Sequence, residues 1–466
     1  MRLTLIGHAS LFIETADCRV LMDPVLWDPH QEGLFHVHPA REVLHARLPP
    51  LDVLVISHRH LDHFDIRSLA HLPRQVQVVV PQDPLLEQSL RALGFEEVHA
   101  LAPLTEFFVG GTRFVTTPSR APVREFGLVI QDETGTCFNA VDTVLDASAV
   151  AAVRQVAPTL DVFLASWQPM LEVDFQWNRP VAFPVQRYAE LLGHVAALEP
   201  RAVVPGANGF RYCGISSWLN QVVFPVSRAR FCVDVKRALG DCAVFPMDPG
   251  DVLEFGAGGF RLDAGGASFV RRLPEARVSL DFRPVDFDGR LVDAPCAPDE
   301  AAAIRASVER VMDVELPRFL EEADATCWRL HQQHGVVQQL DVVFPDERLS
   351  WCIDFTASPP RMARGASSLA TVHSLVTASV LHGIASGTRT WDYAIMGGFY
   401  RRFLTFEPQA PLSDPLRLRF PSGQAQASVI EAEVARWAGV RPLSSARAPR
   451  ALLQRCGVFP TGATAR

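Results

Sequence analysis

Lysine is almost missing from this chain of 466 residues: Lys236 stands alone among 44 lysines and arginines. Any anion held by the protein must therefore be met by arginine, whose planar fork suits carboxylate or phosphate. Paired cysteines are missing too. The nine cysteines are scattered from Cys18 to Cys456 with no C-x-x-C pair, which excludes a disulfide scaffold and leads us to expect a reducing cytoplasm. No run of about 18 apolar residues occurs, so no transmembrane helix is expected. The opening Met1-Arg2-Leu3-Thr4-Leu5-Ile6 lacks the pattern of a signal peptide. Cationic excess is absent as well: 52 acidic residues give a net charge of −8, which argues against nucleic acid as a partner. With 48% apolar and 21% charged residues, a mainly disordered or fibrous chain is also excluded.

What is present is an alternation of strand-like and helix-like segments over residues 1–265, the mark of an α/β layered domain. Val- and Phe-rich strands are expected at 3–14, 19–22, 53–57, 76–81, 113–117, 127–132, 136–140, 162–165 and 202–204. The clearest helix is 183–198, where Tyr188, Leu191, Leu192, Val195 and Leu198 recur on one face. The glycine-rich stretch 256–266 is read as a domain boundary. A second, α+β unit is expected over 266–438. It has a strand at 277–282, an amphipathic helix over 299–322, a hairpin of 336–344 with 349–355, and a second helix over about 367–385. Residues 439–466 lack Asp and Glu and read as a mobile basic tail.

Chemistry concentrates in Ile56-Ser57-His58-Arg59-His60-Leu61-Asp62-His63, where a buried strand runs into three histidines and an aspartate. Imidazole and carboxylate are ligands for zinc and for non-haem iron. Several unpaired imidazoles in one loop would be costly to bury unless they converge on a cation.

The pattern H-x-H-x-D-H after a strand resembles the metallo-β-lactamase superfamily, as do Asp23-Pro24 after the second strand and Asn139-Ala140-Val141-Asp142-Thr143. The resemblance implies an αββα sandwich followed by a C-terminal α+β domain. It further implies one metal on His58 and His60, a second on Asp62 and His63, and Asp142 between them. Asp62 would also serve catalysis by orienting the attacking group. Two family histidines are missing: the loop before Gly127 holds Glu125, and the loop after Val204 holds Asn208. The former reads as a solvent-facing acid and the latter as a turn residue. The wider pattern is similar to the metal domain of the CMP-N-acetylneuraminate hydroxylase family. It includes His8-Ala9-Ser10, Leu21-Met22-Asp23-Pro24 and Trp391-Asp392-Tyr393, and spans residues 3 to about 405. That family carries a Rieske iron–sulfur signature of paired Cys-His ligands, which this sequence does not show. Electrons would then come from a separate donor protein.

Around this constellation, His36, Trp167, Arg120, Arg124, Arg179 and Asn208 are candidates for contacts with a small-molecule substrate, the arginines for an anionic one. The leading expectation is a non-haem iron oxygenase with one or two Fe ions, inserting oxygen into an N–H or C–H bond of a small polar or anionic metabolite. The alternative is a hydrolase of an ester, lactone, amide or phosphodiester, holding Zn or Mn, whose bound hydroxide attacks. A third reading is a binding protein with a partly lost site. The second unit could complete the pocket, dock a reductase, or form a homodimer.

Overall fold

The computed structural model describes residues 1–274, 282–283, 291–443, 445–447 and 451–455; the strand expected at 277–282 falls almost wholly outside them. Two eight-stranded sheets face one another. The first runs Gly259–Asp263, Val252–Gly256, Arg2–Gly7, Ser10–Glu14, Arg19–Met22, Val53–Val55, Gln77–Pro81, Glu97–Leu101. The second runs Ala243–Val244, Ala202–Pro205, Val162–Ala165, Gly135–Asn139, Gly127–Asp132, Thr112–Thr117, Glu106–Val109, Leu452–Arg455. Alternation along each strand explains the layering. Val53 and Val55 join Leu128 and Ile130 between the sheets. Leu54 points the other way, to an outer layer that includes Ile66, Leu86 and Leu90, and Val129 points to the helices Ala147–Val156 and Val185–Leu198. Strands covered on both faces read as continuous apolar runs. The result is an αββα sandwich.

The second unit is built on a five-stranded sheet, in the order Arg361–Arg364, Arg348–Asp354, Val337–Val343, Val372–Thr377, Tyr400–Leu404. The expected hairpin and the helical run from Pro298 to Glu322 are both present. The helix expected over 367–385 is not continuous. Val372–Thr377 is a strand parallel to Val337–Val343, and only Ala378–Ser386 is helical. Its β-branched Val372, Val376 and Thr377 suit an extended backbone, and pairing overrides the helical pattern.

The unit boundaries also differ from expectation. The glycine-rich stretch is the turn of a hairpin inside the first sheet, with Gly259 at φ +91°. Val270–Arg272 then pairs with Arg41–Val43, so the first unit continues past 265. Helix Ser422–Trp437, near the end of the chain, packs Val429, Ile430 and Val434 into the outer layer of the first sheet. The described part of the tail lies on the first unit as well. Arg447 pairs with Asp52 at 3.0 Å, and Leu452–Arg455 adds a strand to Glu106–Val109. An exposed sheet edge offers unpaired backbone groups, and this segment covers one.

The units are clamped at Glu32. Its carboxylate accepts hydrogen bonds from the Thr390 N–H (3.2 Å) and hydroxyl (2.5 Å), and Arg389 donates to its carbonyl at 3.2 Å. Burial pushes the Glu32 carboxyl up from 4.5 to about 7 despite these bonds. A carboxyl whose folded pKa is raised contributes stability that is complete below its unfolded value and is lost as pH rises through its folded value. Urea midpoints of the native chain should therefore fall relative to Glu32→Gln between about pH 4.5 and pH 7, the window those two values set. Parallel curves would exclude the clamp.

Candidate metal centre

Strand ends place the site. Asp23 follows Arg19–Met22, the histidine loop follows Val53–Val55, Asp142 follows Gly135–Asn139 and Asn208 follows Ala202–Pro205. Four non-glycine residues here have left-handed backbones: His8 (φ 51°), Asp23 (44°), Val141 (53°) and Asn208 (76°). For β-branched Val141 this is an uncommon and costly conformation, and such strain concentrates at functional sites. Gly209 supplies a close approach: a Cβ there would lie 3.2 Å from the His8 backbone.

Asp23, fully buried, organises the histidines. Its Oδ1 accepts the Ser57 N–H and its Oδ2 the Ser57 hydroxyl, both at 2.7 Å; Oδ2 also accepts His63 Nδ1–H at 3.0 Å. The Ser57 oxygen in turn accepts from His58 Nδ1–H at 3.0 Å. Both imidazoles thus carry their proton on Nδ1 and turn Nε2 inward. His58 Nε2, His63 Nε2 and Asp142 Oδ1 are buried with no hydrogen-bond partner among the described residues. Asp142 Oδ2 lies 3.0 Å from His63 Nε2. Buried unpaired polar atoms need an explanation, and a cation supplies one.

Ligand atoms of His58, His63 and Asp142 lie within 4.8 Å of one another, as do those of His8, Asp62 and His63. The groups share His63. His8 has both nitrogens committed: Nε2 bonds Asp62 Oδ2 at 3.2 Å, and Nδ1 accepts the Asn208 N–H at 3.2 Å. It therefore orients Asp62, the usual arrangement behind a metal ligand. Neither group includes His60, whose ring stands edge-on to His58 at 4.6 Å.

Electrostatics agree with a cation site. Burial, with His63 and His60 adding to it, holds His58 well below the ordinary imidazole range. Burial would also depress His63, but Asp142 and Asp62 outweigh it and hold it well above. Burial opposes ionisation of Asp62, yet His63 and His8 keep it well below the carboxylate range; burial also opposes ionisation of Asp142, which His63 lowers nonetheless. A cation would take the place of the proton that these carboxylates otherwise draw onto His63.

The other candidates sort differently. Glu125 is buried rather than solvent-facing and accepts from the Ser119 hydroxyl. Burial raises its carboxyl, with Asp142 adding to the rise and His60 and His63 opposing it. Asn208 and Asp142 line a cavity of about 360 Å³ with Ser166, Gln168 and Glu172. The expected arginine contacts are not there. Arg120 is bound to Asp146 at 2.5 Å, Arg124 donates to the Gln82 carbonyl, and Arg179 lines a separate cavity with Phe403. Trp167 is buried with its indole N–H on the Ala207 carbonyl at 2.7 Å. His36 sits opposite Arg211 in a two-stranded pairing. Sequence reasoning missed the orienting roles of His8 and Asp23, and it missed Glu172. The first two were visible as motif residues; the third lies in the polar and aromatic segment 166–179, whose composition suits a pocket wall, though nothing singled out Glu172 within it.

Residues 18–205 match the beta-lactamase superfamily domain. Over 225 residues the chain is 26% identical to proteins named for a Rieske 2Fe-2S iron–sulfur centre, from Mycolicibacterium smegmatis and Mycobacterium tuberculosis. Each match covers 44% of this chain and 43% of the relative, so less than half of each relative's length is spanned. Among solved structures, an isothiocyanate hydrolase from Delia radicum gut bacteria is 18% identical (TM-score 0.41), covering 55% of this chain and 100% of its own. The diiron beta-hydroxylase CmlA from Streptomyces venezuelae is 20% identical (TM-score 0.38), covering 53% and 52%. No helix among the described residues is long and apolar enough to cross a membrane.

Since both groups depend on His63, His63→Ala should abolish binding of every metal equivalent. Asp23→Asn should leave the ligands in place and weaken binding about 10- to 100-fold. Equilibrium dialysis with metal analysis of the folded variants reads both; full occupancy in His63→Ala would remove the shared-ligand assignment.

Proposed function

Because residues 18–205 form a metallo-β-lactamase superfamily domain, a fold that points to a metal-dependent enzyme, we propose that the chain is a non-haem di-iron oxygenase acting on a small polar metabolite. One observation carries the reading: two adjoining groups, each mixing imidazole with one carboxylate, share His63, and His58 Nε2, His63 Nε2 and Asp142 Oδ1 are buried without a hydrogen-bond partner among the described residues. Imidazole mixed with carboxylate suits iron, and a buried Glu125 faces the centre where hydrolytic members of the superfamily carry a histidine. Relatives named for a Rieske centre support a separate electron donor of iron–sulfur chemistry, which oxygenation needs and hydrolysis does not.

When bound, iron would supply activation of O₂ and transfer of an oxygen atom to the substrate. The chain's residues do the rest. His58, His63, Asp62 and Asp142 hold the ions, Asp23 fixes the tautomer of His63, and His8 fixes Asp62. The cavity beside Asp142 receives the substrate, with Asn208 and Gln168 on its wall. Such a volume suits a single metabolite.

Anaerobically purified, iron-loaded protein, reduced stoichiometrically and mixed with O₂, should bind a pair of irons and lose its ferrous state within seconds. Asp142→Asn should slow that oxidation at least tenfold, on the order expected for removing a metal ligand. Protein that holds only zinc, ignores O₂ and cleaves an ester, lactone or phosphodiester would instead be the hydrolase.

A further inference from the structure

The cavity beside Asp142 carries its own statement about charge. It is walled by the strand-end segment at 140–145, by residues 166–172, and by helix Val185–Leu198. Five charged or titratable side chains face it: Asp142, Glu172, Arg187, Glu190 and His194. Its only arginine is engaged, donating to the Asp174 carboxylate and, at 3.3 Å, to the Met170 carbonyl. Burial depresses His194, with Glu190 and Asp146 opposing. Glu190 receives a hydrogen bond from Gln186 at 3.3 Å.

Glu172 is the exception. It opens the short helix Glu172–Gln176 and is partly buried, with its Oε2 enclosed. Burial pushes its carboxyl up, opposed by its own backbone N–H and by Arg187, and Oε2 has no hydrogen-bond partner among the described residues. A carboxylate oxygen left so costs about 1–3 kcal/mol or more, and retaining it is explained when a ligand completes it. Nearby, the buried Tyr212 hydroxyl also lacks a partner. Burial pushes this phenol up, and Glu172 and Asp62 both add to the rise.

We infer that Glu172 is a specificity residue for a cationic nitrogen, so that the cavity takes an amine-bearing substrate whose ammonium lies on Glu172 while its other end reaches Asp142. This rests on the cavity being the substrate site of the metal centre, and it names the substrate class. It also reverses the sequence-based expectation of an anion: the arginines proposed for that role are elsewhere, and the arginine present is already paired.

The test uses two probes of equal shape, para-fluorobenzylamine and para-fluorobenzyl alcohol, titrated by fluorine NMR into zinc-loaded full-length protein of measured metal content. The amine should bind about tenfold or more tighter than the alcohol, the scale of one charge-assisted hydrogen bond. Glu172→Gln should erase that preference, Glu172→Asp should restore part of it, and Glu190→Gln should leave it. Equal binding of the two probes by the native chain, or a preference that survives Glu172→Gln, overturns the inference. The metal content is read separately. A chain that takes up no zinc undermines the metal centre, while the amine preference and its loss in Glu172→Gln are still measured.

Discussion

Everything at the metal centre hangs on one buried carboxylate, Asp23. It accepts three hydrogen bonds, two from Ser57 and one from His63. Through the Ser57 oxygen it also sets the tautomer of His58. A single anion thereby fixes the orientation of two imidazoles, with the Nε2 atoms of both turned inward. Its own backbone is held in a left-handed conformation to do so. Rigid sheet ends make that affordable in conformational terms, because neighbouring strands over-determine where the chain must go.

Much of this was legible in the sequence, and the residues show why. The order of strands and the run of histidines follow from alternation and from ligand chemistry, which are local properties. Asp23 was visible as part of a motif but not as an organiser, since its partners lie 34 and 40 positions away. His8 was likewise only the head of a hairpin until Asn208, 200 positions on, gave its ring a second hydrogen bond. Glu125 was misjudged because a charged residue in a polar loop gives no sign of burial. The partners of the arginines were hidden for a related reason. Local carboxylates and carbonyls claim Arg120 and Arg124, and spacing does not reveal such claims. The strand at Val372–Thr377 was taken for helix because its partner, Val337–Val343, is remote.

The second unit takes part in the site through its core. Phe35, Phe210 and Tyr212 belong to the first unit by sequence position, yet they pack in one cluster with Trp351, Val376 and Tyr400. Phe210 meets the His8 ring edge-on at 5.1 Å. The aromatic wall behind the ligands is therefore shared by both units, and close packing transmits small displacements rather than absorbing them. Glu32, clamped to Thr390, lies two positions from His30, whose ring stacks on His8 at 5.9 Å.

The late helix Ser422–Trp437 has a temporal consequence. It covers the outer face of the first sheet and donates from Gln426 to the Arg59 carbonyl in the histidine loop. During synthesis, the sheet that it covers emerges hundreds of residues earlier. Until the ribosome has released the second unit, part of that apolar layer has no lid, and the histidine loop lacks a contact. The whole second unit is in effect an insertion between a sheet and its cover. Chains that join remote segments in this way fold slowly and expose apolar surface meanwhile.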